Sequence, residues 1–343
     1  MRHSRIKGEG ISYYHCLSRV VDRRFIFGET EKEHFVALMR KLEAFHGMRV
    51  VTYCVMSNHF HLLVEEPDRE SLPALDREML LKRMGFLYDS HTIRTVREEL
   101  ERAAEAGNTR WEQEILERYR RRMGDLSIFM KELKQRFTQW YNRRNGRRGT
   151  LWEDRYKSLL VEGDSQALMT VAAYIDLNPV RAGIVNEVES YRWCGYASAV
   201  AGNCWAREGL HRIWGQSPAI SATENELSWE TVGPEYRLWL YSEGVEKETV
   251  AAGEKKRRKG FSAEEHEAVI KAAGQLPYHS LLRKRVRYFT DGAVIGSADF
   301  VNLVFANQKE QLGLKRKTGA RKMKGADWGG LCVLRDLQKD RIG

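Results

Sequence analysis

The chain has 343 residues, enough for two domains and a substantial core, and its 42% hydrophobic content is that of an ordinary globular protein. Its 57 Lys and Arg outweigh 47 Asp and Glu to give a net charge of +10, which suits a polyanionic partner, most often nucleic acid. Five scattered cysteines without a Cys-x-x-Cys pair argue against a zinc ribbon or a disulfide framework, and no apolar run reaches the length of a membrane span.

In chain order, Ile11–Val21 is rich in aromatic and β-branched residues and reads as a first strand. His15 lies in it, either an ordinary strand histidine or a third metal ligand. From Glu31 to Phe45, Phe35, Leu38, Met39, Leu42 and Phe45 recur at the spacing of an amphipathic helix. Val50–Val55 and His59–Val64 then read as two strands joined by a tight Met-Ser-Asn turn. On a strand, His59 and His61 share one face while Phe60 turns to the other. Two adjacent imidazoles are half of a metal site, and they also serve as packing groups on a strand. The β-α-β-β order predicts an α+β fold, a small antiparallel sheet with helices on one face.

A helix is predicted through Leu72–Met84. The charged stretch Val96–Arg122, broken at Gly107-Asn108, reads as a solvated helical hairpin inserted over about 85–125. Leu126–Asn142 is a further helix. On it Lys131, Lys134 and Arg136 interleave with Phe137, Trp140 and Tyr141, which suits either a single-strand surface or a core with basic residues outside. The cluster Arg143, Arg144, Arg147 and Arg148 at its end is a DNA contact on this reading. Gly149–Val161, which carries Arg155, reads as another strand. Gln166–Leu177 is a helix with Leu168, Val171, Ala172 and Ile175 as its buried stripe, closed by Pro179. Tyr174 and Asn178, four apart, share one flank of it.

Beyond residue 200 the pattern weakens. Residues 201–260 read as a linker ending in Gly253-Glu-Lys-Lys-Arg-Arg-Lys-Gly260, and 261–343 as a basic helical module. Its expected helices begin at a capping box, Ser262–Glu265, and continue over Leu281–Tyr288 and Ser297–Phe305, followed by the basic run Lys315–Lys324. That module suits either DNA contact or a scaffold role.

Taken together, His59-Phe-His61 resembles the histidine–hydrophobic–histidine motif of HUH endonucleases. Tyr174-Ile-Asp-Leu-Asn-Pro179 resembles the nucleophile helix of single-tyrosine transposases, in particular the REP-associated tyrosine transposases. Met130-Lys-Glu-Leu-Lys and Gly149-Thr-Leu-Trp-Glu-Asp-Arg are similar to that family too, and the likeness covers about residues 8–200. The resemblance implies an HUH fold of ferredoxin-like or RRM-like type in a domain over 1–200. It implies His59, His61 and Asn178 as ligands of one Mg²⁺ or Mn²⁺, and Tyr174 as the nucleophile that forms a 5′-phosphotyrosine. The expected activity is cleavage and rejoining of single-stranded, hairpin- or repeat-bearing DNA. Lys131, Lys134, Arg143, Arg144, Arg147, Arg148 and Arg155 are then the DNA-contact candidates. The protein would be a monomer or homodimer, cytoplasmic and nucleoid-associated. A replication initiator or relaxase of the same superfamily, or a DNA-binding protein without catalysis, remain the alternatives. Only Tyr174 occurs between Gln166 and Pro179, where relaxases often carry paired tyrosines.

Overall fold

The first strand, β1 (Ser12–Arg19), is buried along nearly its whole length, so it needs a covering layer on each side. In the computed structural model, which describes residues 5–214, 228–241, 289, 292–312, 319–323 and 328–334, it has both. After β1 come α1 (Glu29–His46), β2 (Arg49–Val55), β3 (His59–Glu66), α2 (Arg77–Leu87), α3 (Ser90–Glu105), α4 (Thr109–Arg120) and α5 (Leu126–Arg144). They are followed by β4 (Lys157–Val161), α6 (Ser165–Asp176), α7 (Asn178–Arg181), α8 (Gly195–Val200), α9 (Cys204–Trp214) and α10 (Trp229–Tyr241). The described C-terminal elements are β5 (Val294–Gly296), α11 (Ala298–Leu312), β6 (Arg321–Lys322) and β7 (Cys332–Leu334).

The sheet runs in the order β2-β3-β1-β4-β5-β7-β6, antiparallel except where β5 lies parallel to β4. The α+β class is as expected, but the sheet is larger and has helices on both faces. Tyr14, Cys16, Phe60, Leu62 and Val64 pack against Phe35, Met39 and Leu42 of α1 and Phe129, Leu133 and Phe137 of α5. Tyr13, Cys54, Leu63, Leu159 and Val161 face the other way, onto Leu168, Val171, Ala172 and Ile175 of α6. Those four are the predicted stripe. The opposite flank of α6 is buried as well, beneath residues of α8, α9 and α10.

The charged hairpin is α3 and α4, turning at Gly107-Asn108, with the Asn108 side chain accepting from the Trp111 amide at 3.0 Å. With α2 it encloses its own apolar cluster, Leu80, Met84, Val96, Leu100, Ile115 and Tyr119, docked on Phe45 of α1. Its charges, such as Arg118 bridging to Glu99 at 3.1 Å, lie outside that cluster. Three boundaries depart from expectation. The helix foreseen from Leu72 starts only where Asp76 caps it, accepting from the Met79 amide at 2.7 Å. Of the strand expected over 149–161, only Lys157–Val161 forms, because Glu153-Asp154-Arg155 breaks the pattern and Asp154 bonds the Arg155 amide at 2.7 Å. Pro179 does not stop the helical path. It sits in the first turn of α7, where its missing N–H costs little.

The supposed linker carries α9 and α10, both packed into the core, and the supposed helical module adds three strands to the sheet. Short apolar runs such as Val294-Ile295 and Cys332-Val-Leu334 are too brief to signal strands, yet a sheet edge recruits them. The helix expected over Ser297–Phe305 is α11. The basic segment 253–260, the capping box at 262–265, the helix over 281–288 and half of the run 315–324 lie outside the described residues. No helix among the described residues is long and apolar enough to cross a membrane.

Two close contacts hold α6 and α9 to the sheet. Asp176 is wholly buried and accepts from the Thr52 hydroxyl of β2 at 2.9 Å, the Tyr196 amide at 3.2 Å and the Tyr236 hydroxyl at 2.7 Å. Burial pushes its carboxyl up to about 7, against the pull of these donors. Gly209 of α9 lies so close to β2 that a Cβ there would come within 2.3 Å of the Val51 carbonyl oxygen.

A carboxyl raised in the folded state favours folding most below its unfolded value near 4, and that contribution is lost as pH rises through 7. Asp176→Asn keeps an acceptor for Thr52 and the Tyr196 amide and has no charge. Its stability relative to the wild type is therefore expected to rise between pH 5 and pH 8, by urea midpoints. Asp176→Ala orphans the buried donors and is expected to lose about 2–4 kcal/mol at either pH. Gly209→Ala must push α9 off β2 and is expected to lower thermal stability by about 1–3 kcal/mol, whereas Gly85→Ala, at an open helical position, should not.

Candidate active site

The site forms where β3, β1 and α6 meet on one face of the sheet. The register pairs Arg19 with His59, Leu17 with His61 and His15 with Leu63, so all three histidines lie on that face. His15 and His61 are diagonal neighbours, and Nε2 of the first lies 2.8 Å from Nδ1 of the second. Their rings stack with centroids 5.0 Å apart. His59, half-buried at the mouth of β3, has its Nδ1 2.7 Å from the Asn58 carboxamide oxygen, and its ring is 5.1 Å from that of His61.

Electrostatics keep the inner pair neutral. Burial pushes His15 down to about 3, and the nearby Arg181 charge acts in the same direction. Burial also holds His61 well below the ordinary histidine range, helped by His15, His59, Arg181 and Arg19. Neutral imidazole is the metal-ligating form. If His61 donates from Nδ1 to His15 and His59 donates from Nδ1 to Asn58, the Nε2 of each presents the lone pair, the arrangement by which neighbouring groups orient ligating histidines.

Tyr174 of α6 reaches this pair. Its ring lies edge-on to both His15 and His61, with centroids 6.0 Å away in each case. The Arg181 guanidinium sits over its face at 3.9 Å, and the Phe289 ring packs at 4.4 Å. The tyrosine is 2% exposed, so these groups enclose it. Tyr174, Asn178 and Arg181 follow i, i+4, i+7 spacing across the α6–α7 junction, which is why they share a flank. Asn178 is half-buried, and its Nδ2 is a buried atom with no hydrogen-bond partner among the described residues. Carboxamide nitrogen and oxygen exchange by a simple flip, so this position offers either a donor or an acceptor. Among the described residues no three His, Cys, Asp or Glu side chains form a metal cluster.

The basic candidates divide. Lys131, Arg143, Arg144, Arg148 and Arg155 are exposed. Arg147 is half-buried and spans to Asn142 and the Thr150 carbonyl. Lys134 is not a surface cation: it is buried, donates to the Asp154 carbonyl at 2.7 Å, and burial lowers its ammonium to about 8. It closes α5 against the 149–156 segment because its stem packs beside Trp152. Of the α5 rings, Phe137 is core, while Trp140 is half-buried and stacks on His34 at 3.8 Å. Tyr141 packs with Phe137 on the far face of the sheet, away from the histidines.

Sequence reasoning left the role of His15 open and missed Arg181 and Phe289. Counting helical positions through Pro179 would have put Arg181 on the Tyr174 flank. No local signal marks Phe289.

Residues 11–114 match the family described as "Transposase IS200 like", a span that includes the three histidines and ends before Tyr174. A search of curated proteins finds no match. A solved structure of a REP-associated tyrosine transposase bound to a REP hairpin is similar over 59% of this chain and 86% of that one, at 15% identity and a TM-score of 0.37. Over residues 11–114, about the first third of the chain, the protein is thus similar to the IS200-like transposases.

Proposed function

We propose that this protein is a transposase of the IS200-like kind that cleaves and rejoins single-stranded, hairpin- or repeat-bearing DNA through a covalent bond to Tyr174. The observation that carries the reading is the packing of the Tyr174 ring against His61, 6.0 Å between centroids, from an element far away in sequence. In this reading the Tyr174 oxygen attacks the scissile phosphorus. The new O–P bond replaces the bond to the 3′ oxygen, which leaves as a 3′-hydroxyl after taking up a proton. The 5′-phosphotyrosine conserves the bond energy, so a 3′-hydroxyl can reverse the step and join strands without a nucleotide cofactor.

His59, His61 and Asn178 would hold one Mg²⁺ or Mn²⁺, which supplies Lewis-acid polarisation of the scissile phosphate when bound. His15 and Asn58 orient the two imidazoles through their Nδ1 atoms. Arg181 lies against the ring on which negative charge develops and stabilises it there. Exposed Arg143, Arg144, Arg148 and Arg155 with Lys131 are the backbone contacts for the strand. Tyr174 is enclosed, so a bound strand must displace part of its cover, and Phe289 is the apolar part.

The test is a denaturing-gel assay for protein–DNA adduct with labelled single-stranded hairpin oligonucleotides and Mn²⁺. The wild type and Tyr141→Phe should form the adduct, and Tyr174→Phe should form none. His61→Ala should fall by at least about 100-fold while keeping a cooperative thermal transition. Adduct in Tyr174→Phe would move the nucleophile elsewhere. Intact DNA binding without adduct across a range of hairpins would favour a protein that binds DNA without cutting it.

A further inference from the structure

The loop between β1 and α1 is built in a way that its own packing does not require. Asp22 and Arg23 both have positive φ, 56° and 53°, a left-handed conformation that is unfavourable for a long side chain. They are the only non-glycine residues so placed among the described residues. The result is that Asp22, Arg23, Arg24 and Phe25 are all exposed, and Phe25 is 81% exposed, the most of the large apolar side chains. The next two residues, Ile26 and Phe27, turn inward and are buried, so they anchor the loop to the core. The Phe25 ring is thus presented to solvent directly beside two exposed guanidinium groups.

The loop is tied to the histidines. The Asn58 side chain donates from Nδ2 to the Arg23 carbonyl at 3.0 Å, and its oxygen faces Nδ1 of His59 at 2.7 Å. Backbone bonds from Val20 to Asn58 and from Phe27 to Ser57, at 2.9 and 3.0 Å, lock both ends of the loop onto the start of β3. Neither Arg23 nor Arg24 makes an ion pair among the described residues. The segment carrying exposed Arg155 runs along the same edge, through the Val21 amide to the Leu151 carbonyl at 2.9 Å and the Glu153 amide to the Arg19 carbonyl at 3.0 Å. Asp22, Glu153 and Asp154 are exposed carboxylates on this edge, equal in number to Arg23, Arg24 and Arg155, so the two adjacent guanidinium groups of the loop and not a net charge mark it.

We infer that Arg23, Arg24 and Phe25 form a docking platform for the single-stranded DNA flanking the cleavage point. One base stacks on the Phe25 ring, and the adjoining phosphates lie on the two guanidinium groups. The pattern of one exposed ring beside two cations suits an unpaired strand, whose bases offer free faces, and not a duplex, whose bases are stacked on each other. The Asn58 bridge gives the platform a fixed offset from His59, so a strand held there is in register with the metal ligands. The inference rests on the single-strand reading of the site.

The test uses the full chain carrying Tyr174→Phe in EDTA, so that neither cleavage nor metal enters the readout. Fluorescence anisotropy would measure binding of a labelled mixed-sequence 24-nucleotide strand and of the corresponding duplex. Phe25→Ala should weaken single-strand binding by about tenfold or more, with Phe25→Trp near the parent and duplex binding unchanged. Arg23→Ala with Arg24→Ala should weaken binding and reduce the slope of log Kd against log salt by about 1.4, which is two phosphates on a single strand. Melting temperatures should not move, since the replaced side chains are exposed. A parent that binds the strand with Phe25→Ala unaffected would overturn the platform alone. A parent that binds neither probe, or only the duplex, would overturn the single-strand reading with it.

Discussion

One buried carboxylate determines where α6 lies. Asp176 draws donors from β2, from the start of α8 and from α10, and it stands two residues from Tyr174 on the same helix. Three hydrogen bonds in an interior of low dielectric are strong and directional, and leaving any donor unmet there costs free energy. The helix is therefore pinned in rotation as well as in position. With Asp176 turned toward Thr52 and Tyr236, Tyr174 has to point toward β1 and β3. The apolar stripe, Leu168 to Ile175, drives α6 onto the sheet without specifying its rotation, because most of the helix is buried whichever way it turns.

The site reached in this way is a place where one cation and two imidazoles crowd a phenol. Burial and the Arg181 charge act together on His15 and His61, and both keep the rings uncharged. Arg181 is itself half-buried, and desolvation pushes its guanidinium down to about 10, which still leaves it charged at neutral pH. A charge retained at that cost is better matched to an anion than to an aromatic ring alone. In the ground state the Tyr174 face receives it. In the proposed reaction the phenol oxygen carries negative charge once it loses its proton, and the same contact then becomes stronger.

Much of this was legible in the sequence. His59 and His61 alternate on a strand, and the strand exists; Leu168, Val171, Ala172 and Ile175 sit at helical spacing, and they are buried. Period and spacing report which face a residue occupies, and the α+β core follows from that. The rest depended on partners distant along the chain. Strand β1 is buried on both faces, but its sequence does not say that α6 and α9 supply the second layer. Lys134 has the look of a surface cation in a basic helix, yet the Asp154 carbonyl that takes its ammonium lies on another segment. Val294-Ile295 and Cys332-Val-Leu334 are too short to announce strands, and only the free edge of β4 makes them so. Phe289 meets Tyr174 across 115 positions of sequence, a contact no local pattern encodes.

The two ends of the site stand in opposite states, and that contrast has a consequence for the order of events. The Arg23–Phe25 loop is open to water, whereas Tyr174 is enclosed by His15, His61, Arg181 and Phe289. A strand can reach the exposed end without any rearrangement but can meet the tyrosine only after its apolar cover shifts. Binding energy gained at the outer end is then available to offset the loss of the Phe289 contact. Under the proposed function, strand capture precedes exposure of Tyr174 in such an arrangement, so the proposed nucleophile meets DNA already held in register and is shielded from water otherwise.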